Sequence, residues 1–402
     1  KTIPAASVTV NYGRLDQSMR GIDAMWFDGL GPQPPAEVPA KLTATGRFHK
    51  GPKIKAGAVQ LLFTRFKIPA DAAPGVYRGQ IAVTASGAAA VSLPVELEVF
   101  HWRVPDPKDF RTYVDMYQSP TSVAMRYKVP LWSDEHYKLM AASWKLLGRA
   151  GNRLVVTHLV AETQYGNQEG TVRFIPQPDG SYKYDLTDFE RYVKMAVAHC
   201  KRIDHVAVSV WHCGGWSGRK ADSRHAITVQ DPKTGKRSAR QLPPLGTPEA
   251  EKILKPALAA VYAKLTQMGL QKQMCIGHLC DSTAPSQVLK SFDSIWPGEG
   301  KARWMRGCHI ASTARDVYDI KYGGRVVLHE YCYGGGVKNP VLHEARSYPG
   351  VFYFRAGYVS GEHRMPLSLY RTFGEAAMAK GTKGIGRLCL DMWRVYERGE
   401  KP

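Results

Sequence analysis

The 402 residues carry 44% hydrophobic and 22% charged side chains, the balance of a globular chain long enough for two or three domains. A formal net charge of +20 favours anionic partners, but the lysines and arginines are dispersed, with no zinc-finger spacing, ribonucleoprotein motif or basic tail, which argues against nucleic acid. No apolar run approaches the ~18 residues that span a bilayer, so a membrane partner is not expected either.

Residues 1–104 alternate like short strands in "VTVNYGRL", "GAVQLLFTRFKIP", "GVYRGQIAVTA" and "VSLPVELEVFHWRV", separated by turn signals such as "ADAAPG" and "ASGA". This pattern predicts a small antiparallel β-sandwich. "HWRVPDPKDF" carries two prolines and reads as the linker into residues 105–402.

Beyond Phe110 the period changes. Strand-like runs are "FRTYVDMY", "NRLVVTHL", "HVAVSVWHC", "QMCIGHLCD", "WMRGCHIAS", "RVVLHEYCY", "VFYFRAGY" and "GIGRLCLDMW". Between them lie amphipathic stretches: "SDEHYKLMAASWKLLGRAG", "DLTDFERYVKMAVAHCKR", "TPEAEKILKPALAAVYAKLTQMG", "APSQVLKSFDSIW" and "PLSLYRTFGEAAMAKGTKG". Ser, Asp or Thr opens several of these and Gly closes several, as helix caps require. Eight strands alternating with helices predict an α/β fold, a (β/α)8 TIM-like barrel. An open doubly wound sheet is the alternative, although no glycine-rich phosphate loop stands where it would be needed. After the third strand a polar, basic, turn-rich insertion, residues 217–246, reads as a loop rising from the catalytic face, a candidate lid.

Catalytic residues of such barrels sit at the C-terminal ends of the strands. Applied in chain order, that rule selects Asp115, His158 and Glu162, then Trp211, His212 and Trp216, then His278 and Asp281. It continues with His309, with Glu330 and Tyr331, with Arg355, and with Asp391 and Trp393. Carboxylates with aromatics on one rim are what cleavage of a glycosidic bond needs: an acid to protonate the leaving oxygen, a second group to attack or stabilise the oxocarbenium centre. The 9 Trp and 20 Tyr offer faces for sugar stacking, though such residues also serve cores. Asp281 alone could instead cap the helix that follows it. A Ser-His-Asp hydrolase would show a G-x-S-x-G elbow, and none is present. The histidines of successive strands are geometrically able to cluster, yet no metal and no cofactor is expected. The 7 cysteines all lie from Cys200 onward without CxxC spacing, as small core residues would.

"FKIPADAAPGVYRGQIAVTASG" followed by "LPVELEVFHWRVPDP" resembles the sandwich end of glycoside hydrolase family 123 and its relatives. "WFDGLGPQPP" is similar to their Pro-rich segment, and "YRTFGEAAMAKGTKGIGRLCLDMW" to their last helix and strand. The resemblance implies a sandwich plus barrel and a retaining β-N-acetylgalactosaminidase. In that family the substrate's acetamido oxygen is the nucleophile; an adjacent Asp-Glu pair orients it and supplies the acid/base. The matching segment here is "GHLCDSTAPS", in which Asp281 meets the Asp and Ser282 stands in place of the Glu.

The reading is a secreted or periplasmic glycoside hydrolase with Asp281 as base or orienting group and Glu330 as general acid, where aromatic sequence neighbours supply the desolvation an acid needs. Asp115, His158, Glu162, His212, His278, His309, Arg355 and Asp391 would hold hydroxyls or an anionic substituent, and Trp211, Trp216, Tyr331 and Trp393 would stack. The expected partner is a carbohydrate, anionic or N-acetylhexosamine-containing, with Arg219, Lys220, Lys236, Arg237 and Arg240 facing the anion. A polysaccharide lyase and a non-catalytic carbohydrate-binding protein are the competing readings.

Overall fold

A computed structural model of the chain describes residues 2–14, 29–38, 60–163, 167–211, 225–279, 284–307, 325–331, 351–355, 375 and 384–391. The chain divides into two compact units, Lys1–Pro105 and Asp106–Pro402.

In the first unit β1 (Val8–Arg14) pairs antiparallel with β2 (Gly29–Gly31) and β3 (Leu62–Phe66). A second pair, β4 (Gly75–Val83) and β5 (Val91–Val99), forms a long antiparallel hairpin. Its register sets Tyr77 opposite Leu97 and Ile81 opposite Leu93, so that the alternating apolar residues share one face.

The second unit is an α/β structure. Its strands and helices follow in the order β6 (Tyr113–Tyr117), α1 (Pro120–Tyr127), α2 (Asp134–Ala150), β7 (Leu154–His158), β8 (Val160–Ala161), β9 (Arg173–Pro176), β10 (Tyr182–Asp185) and α3 (Thr187–Cys200). Then come β11 (His205–Trp211), β12 (Ala226–Gln230), β13 (Arg237–Gln241), α4 (Pro248–Gln267), β14 (Met274–Leu279) and α5 (Ser286–Ser294). The last strands are β15 (Trp304–Gly307), β16 (Val326–Tyr331), β17 (Val351–Arg355) and β18 (Gly384–Cys389).

Eight of these strands form one all-parallel sheet in the order β6-β18-β17-β16-β15-β14-β11-β7. Each of the eight strand-like runs of the sequence supplies one of them. β6 and β7 stand at the two ends of that order, and an isolated parallel bridge joins Val114 of β6 to Asn152, two residues before β7 begins. Arg153 N–H donates to the Val114 carbonyl at 3.1 Å, and the Asn152 amide accepts from Met116 N–H at 2.9 Å and donates to the Leu154 carbonyl at 2.8 Å.

Where its side chains are described, in β6, β7, β11, β14 and the start of β15, both faces of this sheet are buried, which is why a strand such as β11 reads as a continuous apolar run. One face carries Val155, Val206, Val208, Ile276 and Trp304 against Trp144, Tyr192, Leu258 and Phe292 of the helices. The other carries a smaller cluster of Tyr113, Tyr117, Leu154, Ala207, Cys275 and Met305. Neighbours in sequence, such as Leu154 and Val155, thus enter different clusters, as the twofold period of a strand requires. Cys200 and Cys275 are buried free thiols.

The helices start where their caps stand. The Ser133 hydroxyl accepts His136 N–H at 3.2 Å, with Asp134 and Glu135 in the first turn of α2, and Gly151 closes it at φ 78°. Gly148 lets α2 approach α3: a Cβ there would lie 2.2 Å from the His199 carbonyl oxygen. The fifth amphipathic stretch, 366–384, lies outside the described residues apart from Glu375 and Gly384.

Two departures from the sequence reading follow from one feature. The insertion read as a turn-rich loop contains an antiparallel hairpin, β12–β13, and the segment after β7, to which no strands were assigned, contains β8, β9 and β10. Together they make a five-stranded sheet, with β12 central and its Ala226, Ile227 and Thr228 buried. The hairpin closes on an Asx turn, in which the Asp231 carboxylate accepts the Lys233 and Thr234 N–H groups at 2.9 and 2.7 Å. Its outer strand, "RSARQ", carries two arginines and no large apolar residue, so alternation gave no signal.

Candidate active site

Because the eight strands are parallel, their C-terminal ends share one edge of the sheet. Asp115 lies inside β6, fully buried, two residues before Tyr117 at its end. His158 ends β7 and is in register with Ser209 of β11; Trp211 ends β11 opposite His278 of β14. His278 is in turn opposite Arg306 of β15, and Arg306 opposite His329 of β16. Glu330 falls between Gly307 of β15 and Tyr353 of β17, Tyr331 opposite Phe354, and Arg355 ends β17 opposite Gly386 of β18. Asp391 follows two residues after β18 ends. The backbone therefore brings Asp115, His158, Trp211, His278, Glu330, Tyr331, Arg355 and Asp391 to one edge. Asp281, His212, Trp216, His309 and Trp393 lie outside the described residues.

The described side chains differ in how they are held. His158 and Trp211 are buried, and the His158 carbonyl accepts both the N–H and the hydroxyl of Thr171. Glu162 stands beyond β8, exposed and in a left-handed backbone at φ 55°, its N–H donated to the Asn167 carbonyl at 2.8 Å. At the opposite, N-terminal ends of β6 and β11, Tyr113 and His205 meet at 3.3 Å between phenol oxygen and Nδ1. Burial pushes the His205 imidazole down to about 4, and burial with the Asp115 charge nearby pushes the Tyr113 phenol well up. This pair is neutral across the physiological range.

Asp391 is held by backbone and hydroxyls. Its Oδ1 accepts Ser119 N–H at 2.8 Å, Ser143 donates to its carboxylate, and the Ser122 hydroxyl donates to its carbonyl. Burial raises this carboxyl to about 6 against those hydrogen bonds. Its described partners are thus the start of α1 and a serine of α2.

A second charged assembly escaped sequence reasoning. Arg173 of β9, 1% exposed, binds Asp188 of α3 at 2.7 Å and Glu169 at 3.0 Å. Arg237 of β13 reaches the same two acids at 3.7 and 3.2 Å, and Tyr137 donates to Asp188. Burial lowers Arg173 and raises Asp188 even beside two guanidiniums. No helical spacing links these groups, since Glu169 lies in a bend and Arg173 in a strand, so local pattern gave no signal. Arg237, expected to face an anionic substrate, is occupied by these acids. Lys236 and Arg240 of the same hairpin are exposed, with Arg240 5.9 Å from the Tyr182 ring, whereas Arg219 and Lys220 lie outside the described residues. Among the described residues no group of three or more His, Cys, Asp or Glu could hold a metal ion, and no helix is long and apolar enough to cross a membrane.

Residues 117–297 match the glycoside hydrolase 123 catalytic domain. Among solved structures, the chain is similar to a family 123 glycoside hydrolase from Clostridium perfringens that was studied for glycolipid glycan hydrolysis. The TM-score is 0.67 at 16% identity, over 96% of this chain and 66% of that one. The chain thus spans just under two thirds of that protein's length. No curated protein matches the chain. The resemblance drawn from "FKIPADAAPGVYRGQIAVTASG" and the last strand is therefore met by a match over a different stretch of sequence.

Proposed function

We propose, from the match of residues 117–297 to the glycoside hydrolase 123 catalytic domain, that this chain hydrolyses glycosidic bonds. That match is the observation that carries the reading. The parallel sheet supports it by gathering acids, imidazoles and aromatics at one edge, the arrangement acid/base cleavage uses.

In the finer reading the sheet closes as a (β/α)8 barrel, supported by the bridge from Val114 of β6 to Asn152, which precedes β7. The two antiparallel sheets of residues 1–104 are read as a sandwich. Asp281 orients or deprotonates and Glu330 protonates the leaving oxygen. The substrate is an anionic or N-acetylhexosamine-containing glycan met outside the cytoplasm, in keeping with the +20 charge and with the exposed Lys236 and Arg240.

The test is a panel of neutral, sulfated and N-acetylhexosamine glycans, read by reducing ends and by ultraviolet absorbance. New reducing ends without an ultraviolet chromophore are expected; an unsaturated product would make the protein a lyase instead. Asp281→Asn and Glu330→Gln should each lower kcat by at least about a hundredfold, the usual scale of lost acid/base catalysis. Near-unchanged turnover in both would remove these two residues from the mechanism. Ser282 beside Asp281 favours a second reading, a binding protein without turnover, which saturable glycan binding with no product release would establish.

A further inference from the structure

The seam between the last strand of the sheet and its first is closed by residues some 270 positions apart in sequence. Leu390 N–H donates to the Tyr117 carbonyl at 3.2 Å, directly beyond the Cys389–Tyr117 register pair. One residue later Asp391 takes Ser119 N–H at 2.8 Å and receives the Ser122 hydroxyl on its carbonyl. Ser119 is the N-cap of α1, so the carboxylate also meets the positive end of a helix. Ser143, from α2, donates to the same carboxylate. Asp391 is 2% exposed, and α1 and α2 hold it together.

We propose that Asp391 is a positioning residue that latches the end of β18 to the start of α1, and that the latch is tighter when this carboxyl is protonated. The physical reason is solvation. An ionised carboxylate gains far more from water than a neutral acid does, so any local opening that wets Asp391 is favoured by its charge. The described donors to its carboxylate are two N–H groups, of Ser119 and of Asp391 itself, and the Ser143 hydroxyl, all uncharged.

The charged side chains of α1 and α2, Arg126, Asp134, Glu135, Lys138, Lys145 and Arg149, are all exposed. Asp115 and Tyr117 stand on β6 and Tyr192 on α3, whose hydroxyl donates to Gln118 at 2.8 Å. His136 of α2 is turned to the Pro120 carbonyl at 2.9 Å, and burial keeps its imidazole below the ordinary range. Burial dominates the ionisation of Asp391, opposed by hydrogen bonds, with no described lysine or arginine contributing.

What the latch positions is the β18–β6 seam at Tyr117, two residues after Asp115. Its effect on turnover rests on the glycosidase reading; the latch itself does not.

Amide exchange of residues 119–123 tests it, measured at pH 5 and pH 7.5 and corrected for intrinsic rates. With a closed-state pKa of about 6 and an open-state value of 3.8, the opening constant should rise about tenfold over that interval. Asp391→Asn should show no such rise. Ser143→Ala removes a donor that favours the ionised form, so its rise should be steeper than wild type. A wild-type rise no larger than that of Asp391→Asn, or an unaltered rise in Ser143→Ala, overturns the proposal. If hydrolysis is found, its pH profile should lose a break near 6 in Asp391→Asn. If hydrolysis is absent in every form while the exchange behaves as stated, the glycosidase reading fails and the latch stands.

Discussion

Asn152 engages both ends of its amide with backbone where β6 passes β7, accepting from Met116 and donating to Leu154. It is 1% exposed, so truncation leaves a buried N–H and a buried carbonyl without that partner. Asn152→Ala should therefore cost about 2–4 kcal/mol, the scale of two stranded polar groups. Asn152→Asp keeps the acceptor but loses the donor and adds a buried charge, and should be no better tolerated. Urea denaturation midpoints at neutral pH check both; a loss below 0.5 kcal/mol in Asn152→Ala, roughly the scale of a neutral surface change, would show that the bridge does not need its amide. This residue was not legible beforehand. In "GRAGNRLVV" an asparagine after glycine reads as a turn, and nothing local reveals that one of its partners, Met116, lies on a strand 36 residues earlier. Asp391 illustrates the same limit from the other side: its place near a strand end was legible, while its serine partners were not.

Strands such as "HVAVSVW" were legible because burial on both faces leaves a nearly unbroken apolar signature. The four described amphipathic helices were legible because caps and a buried stripe coincide, as Ser133, Gly151 and the Tyr137–Met140–Trp144 spacing do in α2. The five-stranded side sheet was not, because strands such as "YKYD" and "RSARQ" bury one side at most and draw their stability from pairing and from the Arg173 assembly. α1 was missed for a related reason: with eight residues it is too short to show a period, and it is anchored by Ser119 and Asp391. At this scale Gly148 is the sharpest test. Adding one methyl sets it 2.2 Å from the His199 carbonyl and 2.8 Å from its carbon, both backbone, so α2 and α3 must part. Gly148→Ala should cost about 1–3 kcal/mol despite the better helix propensity of alanine. A variant as stable as wild type would mean that the helices separate freely.

At the scale of the whole molecule, two buried groups act against each other as pH changes. The His205 imidazole falls to about 4 from an ordinary 6.5, so between those values the unfolded chain binds the proton and the folded one does not. Its share of stability is complete above 6.5 and is lost as pH falls to 4. Asp391 rises to about 6 from 3.8, so between those values the folded chain holds the proton. Its share is complete below 3.8 and is lost as pH rises through 6. Each shift corresponds to about 3 kcal/mol at 1.36 kcal/mol per unit. In the shared window, about pH 4 to 6, the slopes are opposite and nearly cancel. Removing either should uncover the other. Relative to wild type, Asp391→Asn should lose about 3 kcal/mol more on acidification from pH 6 to 4, and His205→Gln about 3 kcal/mol less, reading ΔG of unfolding from urea midpoints at each pH. Parallel curves for wild type and both variants would mean that neither group is buried in the folded chain as its surroundings require. Opposite displacements would also show that Asp391, ionised at neutral pH, is held there at a cost in stability.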